Sequence, residues 1–268
     1  MITEFEFGGK HLLFNLTRHS DFSAFYQVAI SKSYPNLFSA INQGDIVIDV
    51  GANIGIFTIM AGVLAGDTGK VIAIEPDPEN LRILRENIKL NKLKNVIIVN
   101  KALYSKSGKL LKLYQNGVLS RILTGKQEVS DLRVESITLD DILKKINLYP
   151  TVLKMDIEGA EKFALIGMKR TMRMIEYFEA EIHSKEDYRA LMKYSKLFAF
   201  SNEPVEDLSN VIKFTLKHPL KILKLEYNNK FLTTKRVLQS FYKKEGFQQF
   251  PKIIYGRKLQ KKLNKVGK

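Results

Sequence analysis

A glycine-rich turn between two apolar segments constrains the fold of this chain more than any other feature. The segment DIVIDV, residues 45–50, is a short apolar run typical of a buried parallel strand. The turn GANIG, residues 51–55, follows it, and IFTIMAGVLAG, residues 56–66, forms a helix that is apolar on most of its surface. In a doubly wound sheet, such a turn lets the backbone approach a ligand and points the next helix at it.

The same alternation of strand and helix continues along the chain. Further strands are predicted at residues 71–75, 95–103, 151–156 and 174–183. Asp77 and Thr138 each precede an amphipathic segment and are predicted helix N-caps. This alternation predicts an α/β fold with a doubly wound, mostly parallel, Rossmann-like sheet and helices on both faces.

The two ends of the chain lie outside this pattern. Residues 5–16, FEFGGKHLLFNL, carry apolar segments on either side of a Gly-Gly pair, which predicts an N-terminal hairpin. Residues 201–268 hold 16 Lys or Arg against 5 Asp or Glu, which is +11 of the chain's net charge of +15. The segment KIIYGRK, residues 252–258, predicts a last strand. We therefore divide the chain into a lead-in at 1–40, a core at 41–200 and a basic extension at 201–268.

The acid that ends the second predicted strand indicates the kind of cofactor. Glu75 lies 20 residues after Gly55, a spacing at which a carboxylate accepts hydrogen bonds from ribose hydroxyls. A dinucleotide is disfavoured, because Asn53 occupies the second glycine position of Gly-x-Gly-x-x-Gly. Asp49, just ahead of the turn, suits a cationic ammonium or sulfonium group. Together these residues predict that the cofactor is S-adenosyl-L-methionine.

Several motifs occur in the order and spacing of the FkbM family of methyltransferases. They are IDVGANIGIFT, VIAIEPDPENLRILRENIKLN, ITLDDIL, LKMDIEGAE and EYFEAEIH, all between residues 45 and 183. The chain therefore resembles this family of Rossmann-like S-adenosyl-L-methionine enzymes, and KMDIEGAE is the most specific element. The resemblance implies that the first turn packs against the amino-acid part of the cofactor, that Glu75 holds the ribose and that the third strand ends beside the adenine. The cofactor-binding residues it implies are Asp49, Gly51, Asn53, Gly55, Glu75, Pro76, Asp77, Lys101 and Ala102.

Three titratable side chains are candidate catalytic residues. Asp156 ends the fourth strand, which in this family faces the transferred methyl group, and Glu181 and His183 end the fifth. A hydroxyl acceptor must lose its proton, and a carboxylate or a histidine can take it. We assign no metal ligands, although a divalent cation bridging two of these carboxylates stays open.

These acids and their neighbours also have structural explanations. Asp156 could be a buried acid paired with Lys154, and His183 could be an ordinary strand-end histidine. Glu161 falls in the first turn of a helix, where the dipole stabilises a negative charge. Glu158 either begins that helix or contacts the substrate. Similarly, an acid ahead of the glycine turn could serve to brace the turn through local backbone hydrogen bonds.

The resemblance implies O-methylation of a hydroxyl on a sugar, a glycan or a lipid-linked acceptor. The basic C-terminal region would then meet an anionic membrane surface or a phosphate-bearing carrier. One alternative is an RNA methyltransferase in which that region binds nucleic acid, although no RNA-binding module is recognised. A second alternative is a cofactor-binding interaction protein without catalysis. Oligomeric state is left unassigned.

The location predicted is cytoplasmic, with peripheral contact to the inner face of the membrane. The chain has no cysteine, which excludes disulfides and thiolate zinc sites. Its first residues, MITEFEFGGK, lack the basic and apolar regions of an export signal. The apolar stretch at residues 46–66 is long enough to span a bilayer, but Asp49 and Asn53 would be costly in lipid.

Overall fold

The computed structural model describes residues 1–31, 33–123, 130–202 and 253–258. Its strands are β1 (Ile2–Phe7), β2 (Lys10–Asn15), β3 (Ile46–Val50), β4 (Lys70–Ile74), β5 (Val96–Val99), β6 (Ala102–Leu103), β7 (Leu110–Tyr114), β8 (Arg121–Ile122), β9 (Arg133–Ile137), β10 (Val152–Met155), β11 (Tyr177–Glu181), β12 (Phe198–Asn202) and β13 (Ile253–Lys258). Its α-helices are α1 (His19–Phe25), α2 (Pro35–Ala40), α3 (Ile56–Ala65), α4 (Pro78–Leu90), α5 (Leu139–Ile146), α6 (Glu161–Ile166) and α7 (Lys185–Met192). A π-helical segment, Tyr26–Ile30, continues α1.

Within these residues the main sheet has seven strands in the order β12-β13-β11-β10-β3-β4-β5. The five strands from β11 to β5 are parallel, and β13 runs antiparallel between β11 and β12. From β3 the chain winds outward through β4 and β5, and it later returns on the other side through β10 and β11. The order therefore reverses between β3 and β10, where open α/β sheets form a crevice for ligands.

Helices cover both faces of this sheet because alternate residues of each buried strand point to opposite sides. On one face, Ile48 and Ile72 pack in a cluster that includes Leu139 of α5 and Leu165 of α6. On the other face, Val47, Val71 and Val152 pack with residues of α2 and α3. The predicted α/β fold with a doubly wound, mostly parallel sheet is confirmed.

Side-chain caps fix the starts of two helices where the sequence predicts them. Asp77 accepts the backbone N–H groups of Glu79 and Asn80 at the start of α4, and Pro78 occupies the first helical position. Thr138 accepts the N–H of Asp141 at the start of α5. Each cap sets where its helix leaves the sheet, and the first brings the start of α4 beside the end of β4.

Smaller sheets flank the core. The N-terminal hairpin forms from β1 and β2. The side chains of Asn87 on α4 and of Asn91 just after it bond to the backbone of Leu13 and Asn15 on β2. Strands β6 to β9 form a second small sheet beside the end of β5.

The last strand predicted from the sequence, at residues 252–258, is present as β13. The lysine-rich stretch at 203–252 and the end at 259–268 lie outside the described residues, and the division into three segments stays a prediction.

The apolar stretch at residues 46–66 folds as β3, a turn and α3. The longest α-helix in the described part of the chain is α4, with 13 residues. No helix there is both long enough and apolar enough to cross a bilayer.

Candidate active site

A cavity of about 620 Å³ opens where the strand order of the main sheet reverses. This volume is within the range of about 300–1,000 Å³ that small-molecule sites occupy. The cavity is bounded by the loops that leave β3, β4, β10 and β11 and by the segment before α2. Residues from these elements that line it include Tyr34, Gly51, Ala52, Asn53, Glu75, Pro76, Asp156, Glu158 and Glu181.

The glycine turn after β3 forms one wall of the cavity and tolerates no side chain at its first position. Gly51 has φ of +76°, and a Cβ there would lie 1.8 Å from the backbone oxygen of Asp156. Gly55 also has a positive φ, but a Cβ there would meet Leu84 of α4 at 2.4 Å. Gly51 therefore brings two loops together at the cavity, whereas Gly55 packs the turn against a helix and does not line the cavity.

Glu75 connects this turn to the loop after β4. Its side chain accepts the N–H of Asn53 at 2.7 Å and the N–H of Asp77 at 2.9 Å, while the residue is 4% exposed. Burial raises the pKa of Glu75 to about 7, and the two N–H groups act in the opposite direction. The carboxylate is thus a buried acceptor in the cavity wall, at the point where the sequence predicts a ribose contact.

Other predicted cofactor residues divide between the cavity wall and the structure behind it. Pro76 and Ala102 line the cavity. Asp77 is fully buried and caps α4, and Lys101 forms an ion pair with Glu135 at 2.5 Å. Neither Asp77 nor Lys101 lines the cavity, so each would act on a ligand through its neighbours.

Beneath the glycine turn lies a buried ion pair. Asp49 accepts the hydroxyl of Thr58 at 2.5 Å, and its other oxygen lies 3.3 Å from the ammonium of Lys154. The same ammonium donates to the backbone oxygen of Gly51 at 2.8 Å. Burial alone would lower the pKa of Lys154, but the attraction of Asp49 and Asp156 raises it above its ordinary value. Asp49 does not line the cavity, and its link to the turn passes through Lys154.

Asp156 faces the cavity from the end of β10 and is held by a residue from far earlier in the chain. One carboxylate oxygen lies 3.2 Å from the hydroxyl of Tyr34. The other is buried and has no hydrogen-bond partner among the described residues. Burial and the nearby Asp156 charge raise the pKa of Tyr34 well above its ordinary value, so its hydroxyl remains a donor. The ring of Tyr34 packs edge-on against Phe57 of α3, which fixes its position.

His183 lies among four carboxylates at the ends of β10 and β11. Its Nε2 is 3.3 Å from Glu158, 3.7 Å from Glu181 and 4.0 Å from Asp156, and its Nδ1 is 2.9 Å from the fully buried Glu161. Burial opposes the charge, but the bond to Glu161 and the carboxylates raise the pKa of His183 to about 10. The imidazole therefore carries a positive charge near neutral pH in the cofactor-free structure, and its predicted catalytic role stays a prediction.

The loop between β10 and α6 places its two glutamates differently. Glu161 is the first residue of α6, as the dipole argument predicts, and it also holds His183. Glu158 lies three residues before that helix, with φ of +54°, and lines the cavity. Of its two sequence interpretations, the position at the cavity favours a contact with substrate.

A match to a known protein family identifies the family of this chain. Residues 49–203 match the family described as the methyltransferase FkbM domain, which is more than half of the chain. The chain belongs to the FkbM methyltransferase family. This confirms the family predicted from the motifs between residues 45 and 183.

Relatives of this FkbM chain are distant. It is 26% identical over 159 residues to the hexuronic acid methyltransferase AglP of Haloferax volcanii, which covers 59% of this chain and 64% of that protein. It is 40% identical over 52 residues to a protein of Sulfurisphaera tokodaii described as a probable cobalt-precorrin-6B C(15)-methyltransferase, which covers 19% of this chain and 27% of that protein. A solved rRNA methylase from Streptococcus thermophilus has a TM-score of 0.47 and 10% identity, covering 87% of this chain and 97% of that one.

The structure brings most of the predicted residues of this FkbM protein to one crevice. It adds three residues that the motifs did not assign to the site, namely Tyr34, Lys154 and Glu161. Asp156, Glu181 and His183 come together as predicted. Tyr34 precedes the matched family segment, and its contact with Asp156 spans 122 residues, so no local pattern indicates it. Lys154 lies inside the otherwise apolar strand VLKM, and this position indicates a buried partner. The bond between Glu161 and His183 could be identified only from the folded structure.

Proposed function

We propose that this protein is an S-adenosyl-L-methionine-dependent methyltransferase that methylates a hydroxyl group of a sugar, a glycan or a lipid-linked saccharide. The observation that carries the proposal is the placement of Asp156, which lines the same cavity as the glycine turn. One of its oxygens is held by Tyr34, and the other has no hydrogen-bond partner in the described chain.

The donor set of the cavity fits this cofactor. Gly51 lines the cavity in a turn that packs closely on the backbone of Asp156, and Glu75 offers a buried carboxylate that can accept ribose hydroxyls. The carboxylates of Asp156, Glu158 and Glu181 line the same cavity and favour a ligand with ammonium and sulfonium charges. When bound, S-adenosyl-L-methionine supplies a methyl group activated by a positively charged sulfur.

The residues of the chain supply orientation and a proton acceptor. A hydroxyl that takes a methyl group must lose its proton, and a positioned carboxylate can accept it. Asp156 and Glu181 both line the cavity at neighbouring strand ends, whereas the raised pKa of His183 makes the imidazole a cation that holds these carboxylates in place. Tyr34 fixes the Asp156 carboxylate in one orientation.

Support for the saccharide comes from the similarity to the hexuronic acid methyltransferase AglP, which covers 59% of this chain. Uronic acid and lipid-linked saccharides carry anionic groups, and the net charge of +11 on residues 201–268 is complementary to them. The same charge is complementary to RNA, and the fraction that takes up the label distinguishes the two acceptors.

The decisive experiment uses methyl-labelled S-adenosyl-L-methionine, fractionated cell extract and the full chain. The expected result is label in the glycan or lipid-linked saccharide fraction, released as a methyl ether. Asp156→Asn should retain cofactor binding and lose at least about a hundredfold in transfer rate, the typical contribution of general acid or base catalysis. Asp67→Asn, which replaces an exposed aspartate in the turn after α3, is the matched control and should transfer normally.

Two other outcomes would contradict the proposal in different ways. Label in RNA alone, with affinity that falls steeply with salt, would replace the saccharide by nucleic acid. Cofactor binding without label in any fraction, unchanged by Asp156→Asn, would indicate an interaction protein without catalysis.

A further inference from the structure

The residues around His183 include a set of ligands that could hold a metal ion. One oxygen each from Asp156 and Glu158 and one nitrogen of His183 lie within 4.8 Å of one another, at the edge of the cavity. The set mixes two carboxylates with an imidazole, a combination that suits divalent cations such as Mn²⁺. From this geometry we propose that Asp156, Glu158 and His183 form a binding site for one divalent cation at the end of β10.

The distances agree with a shared ion. Two ligands that are each about 2.1 Å from a cation lie about 3.0–4.2 Å apart, depending on the angle between them. His183 Nε2 is 3.3 Å from Glu158 Oε2 and 4.0 Å from Asp156 Oδ1. Both acid side chains are about a quarter exposed, so a small rotation of either can complete the arrangement.

A second observation points to a ligand independently of the carboxylate cluster. Metal-binding histidines donate the N–H of their other nitrogen to a carboxylate, which directs the free nitrogen at the ion. Glu161, which is fully buried, lies 2.9 Å from Nδ1 of His183 and leaves Nε2 facing Asp156 and Glu158. The Asp156 oxygen on this side is buried and lacks a hydrogen-bond partner in the described residues, as does the second oxygen of Glu161.

A divalent ion would lie where Nε2 of His183 and the carboxylates of Asp156 and Glu158 converge. A histidine that ligates a metal does so through an unprotonated ring nitrogen. Three protein ligands would leave coordination positions for other groups, because such cations take about six ligands. An acceptor hydroxyl bound there would lose its proton more readily, as water does on a bound metal.

This effect of the ion on the acceptor hydroxyl rests on the proposed function. It gives different roles to Asp156 and Glu181, the two candidate proton acceptors. Asp156 becomes a metal ligand held by Tyr34, and Glu181 becomes the carboxylate that takes the hydroxyl proton. Atoms balance in this step: the oxygen of the acceptor gains the methyl group, its proton passes to the Glu181 carboxylate, and the sulfur of the cofactor keeps the electron pair of the broken bond.

The test measures Mn²⁺ binding to the full chain after chelator treatment, without cofactor or acceptor, by electron paramagnetic resonance and calorimetry. The expected result is one saturable site per chain. Glu158→Gln removes a ligand and should weaken the affinity at least tenfold. Glu161→Gln should weaken it about 10- to 100-fold, because the buried carboxylate orients His183 without touching the ion.

The N-terminal hairpin provides a matched control. There His11 lies 2.6 Å from Glu6 and 3.6 Å from Glu4, but all three side chains are more than half exposed. Glu6→Gln should leave Mn²⁺ binding unchanged. Circular dichroism establishes that each variant is folded. If Glu161→Gln fails to fold, the Mn²⁺ affinity of Glu158→Gln alone tests the proposed site.

Absence of a saturable Mn²⁺ site in the folded protein, or equal affinity in the wild type and Glu158→Gln, would overturn the proposal. Because binding is measured without acceptor, this result is independent of which substrate is methylated. Conversely, tight Mn²⁺ binding together with label in RNA would preserve the metal site and contradict the saccharide proposal.

Discussion

The ammonium group of Lys154 lies 3.3 Å from the carboxylate of Asp49, at positions that face each other across the neighbouring parallel strands β10 and β3. Both side chains are almost fully removed from solvent, with exposures of 6% and 0%. Lys154 also bonds to the backbone oxygen of Gly51, the first residue of the turn that lines the cavity. A buried charge pair therefore supports the backbone where the cofactor is expected to bind.

Replacing Lys154 should cost far more stability than replacing a surface lysine. Lys154→Met leaves Asp49 as a buried, uncompensated charge, and breaking such a pair costs about 3–5 kcal/mol. Urea unfolding of the wild type and the variant measures the difference. The double variant Asp49→Asn, Lys154→Met should recover part of the loss, because Asp49 then no longer contributes a buried charge without its partner. A loss of less than about 1 kcal/mol in the single variant would mean that Asp49 finds another partner.

Local sequence patterns were sufficient to predict the central sheet and the strand-end acids. Buried parallel strands are short apolar runs, and parallel strands end at the same edge, so Glu75 and Asp156 had to lie at one crevice. Helix caps such as Asp77 and Thr138 also depend on a few adjacent residues. These features are local, and the structure reproduces them.

The rest of the candidate site depends on contacts between distant residues. Tyr34 reaches Asp156 only because α2 packs under β10 and β11, which no motif near Tyr34 encodes. Likewise, Lys154 could be identified as the partner of Asp49 only when the register of β3 and β10 was known. Sequence reasoning thus located the crevice but not the side chains that orient its acids.

Two glycines with nearly equal φ angles allow the close approach at the turn to be tested. Gly51 and Gly108 have φ of +76° and +77°, but a Cβ on Gly108 meets no atom within 4 Å. Gly108→Ala should therefore show only the conformational cost, about 1–2 kcal/mol. Gly51→Ala adds a clash with the backbone of Asp156 and should lose more stability as well as cofactor binding. Thermal unfolding and cofactor titration measure both, and equal losses in the two variants would refute the close approach.

The pKa of Glu75 predicts a pH-dependent contribution to stability in the cofactor-free protein. Its folded value of about 7 is higher than the ordinary value of 4.5, so the folded state retains a proton that the unfolded state has lost. The stabilisation is complete below about pH 4.5 and disappears as the pH rises through about 7. The whole difference corresponds to about 3 kcal/mol.

Glu75→Gln isolates this effect, because all other titrating groups are shared with the wild type. The free energy of unfolding of the wild type, relative to the variant, should fall by about 2–3 kcal/mol between about pH 5 and pH 8. Denaturant unfolding at each pH gives the difference. A constant difference over this range would show that burial does not raise the pKa of Glu75.

Tyr34 offers a direct test of whether the orientation of Asp156 matters for methyl transfer. Tyr34→Phe keeps the ring that packs on Phe57 and removes only the hydroxyl that donates to Asp156 at 3.2 Å. A net hydrogen bond of about 0.5–1.5 kcal/mol corresponds to roughly a 2- to 13-fold loss, which should appear in kcat while cofactor affinity is retained. Tyr194→Phe is the matched control, since it removes a hydroxyl bonded to the backbone of Leu165, outside the cavity lining. It should reduce stability slightly and leave kcat unchanged. If Tyr34→Phe behaved like Tyr194→Phe, the hydroxyl of Tyr34 would contribute only to folding.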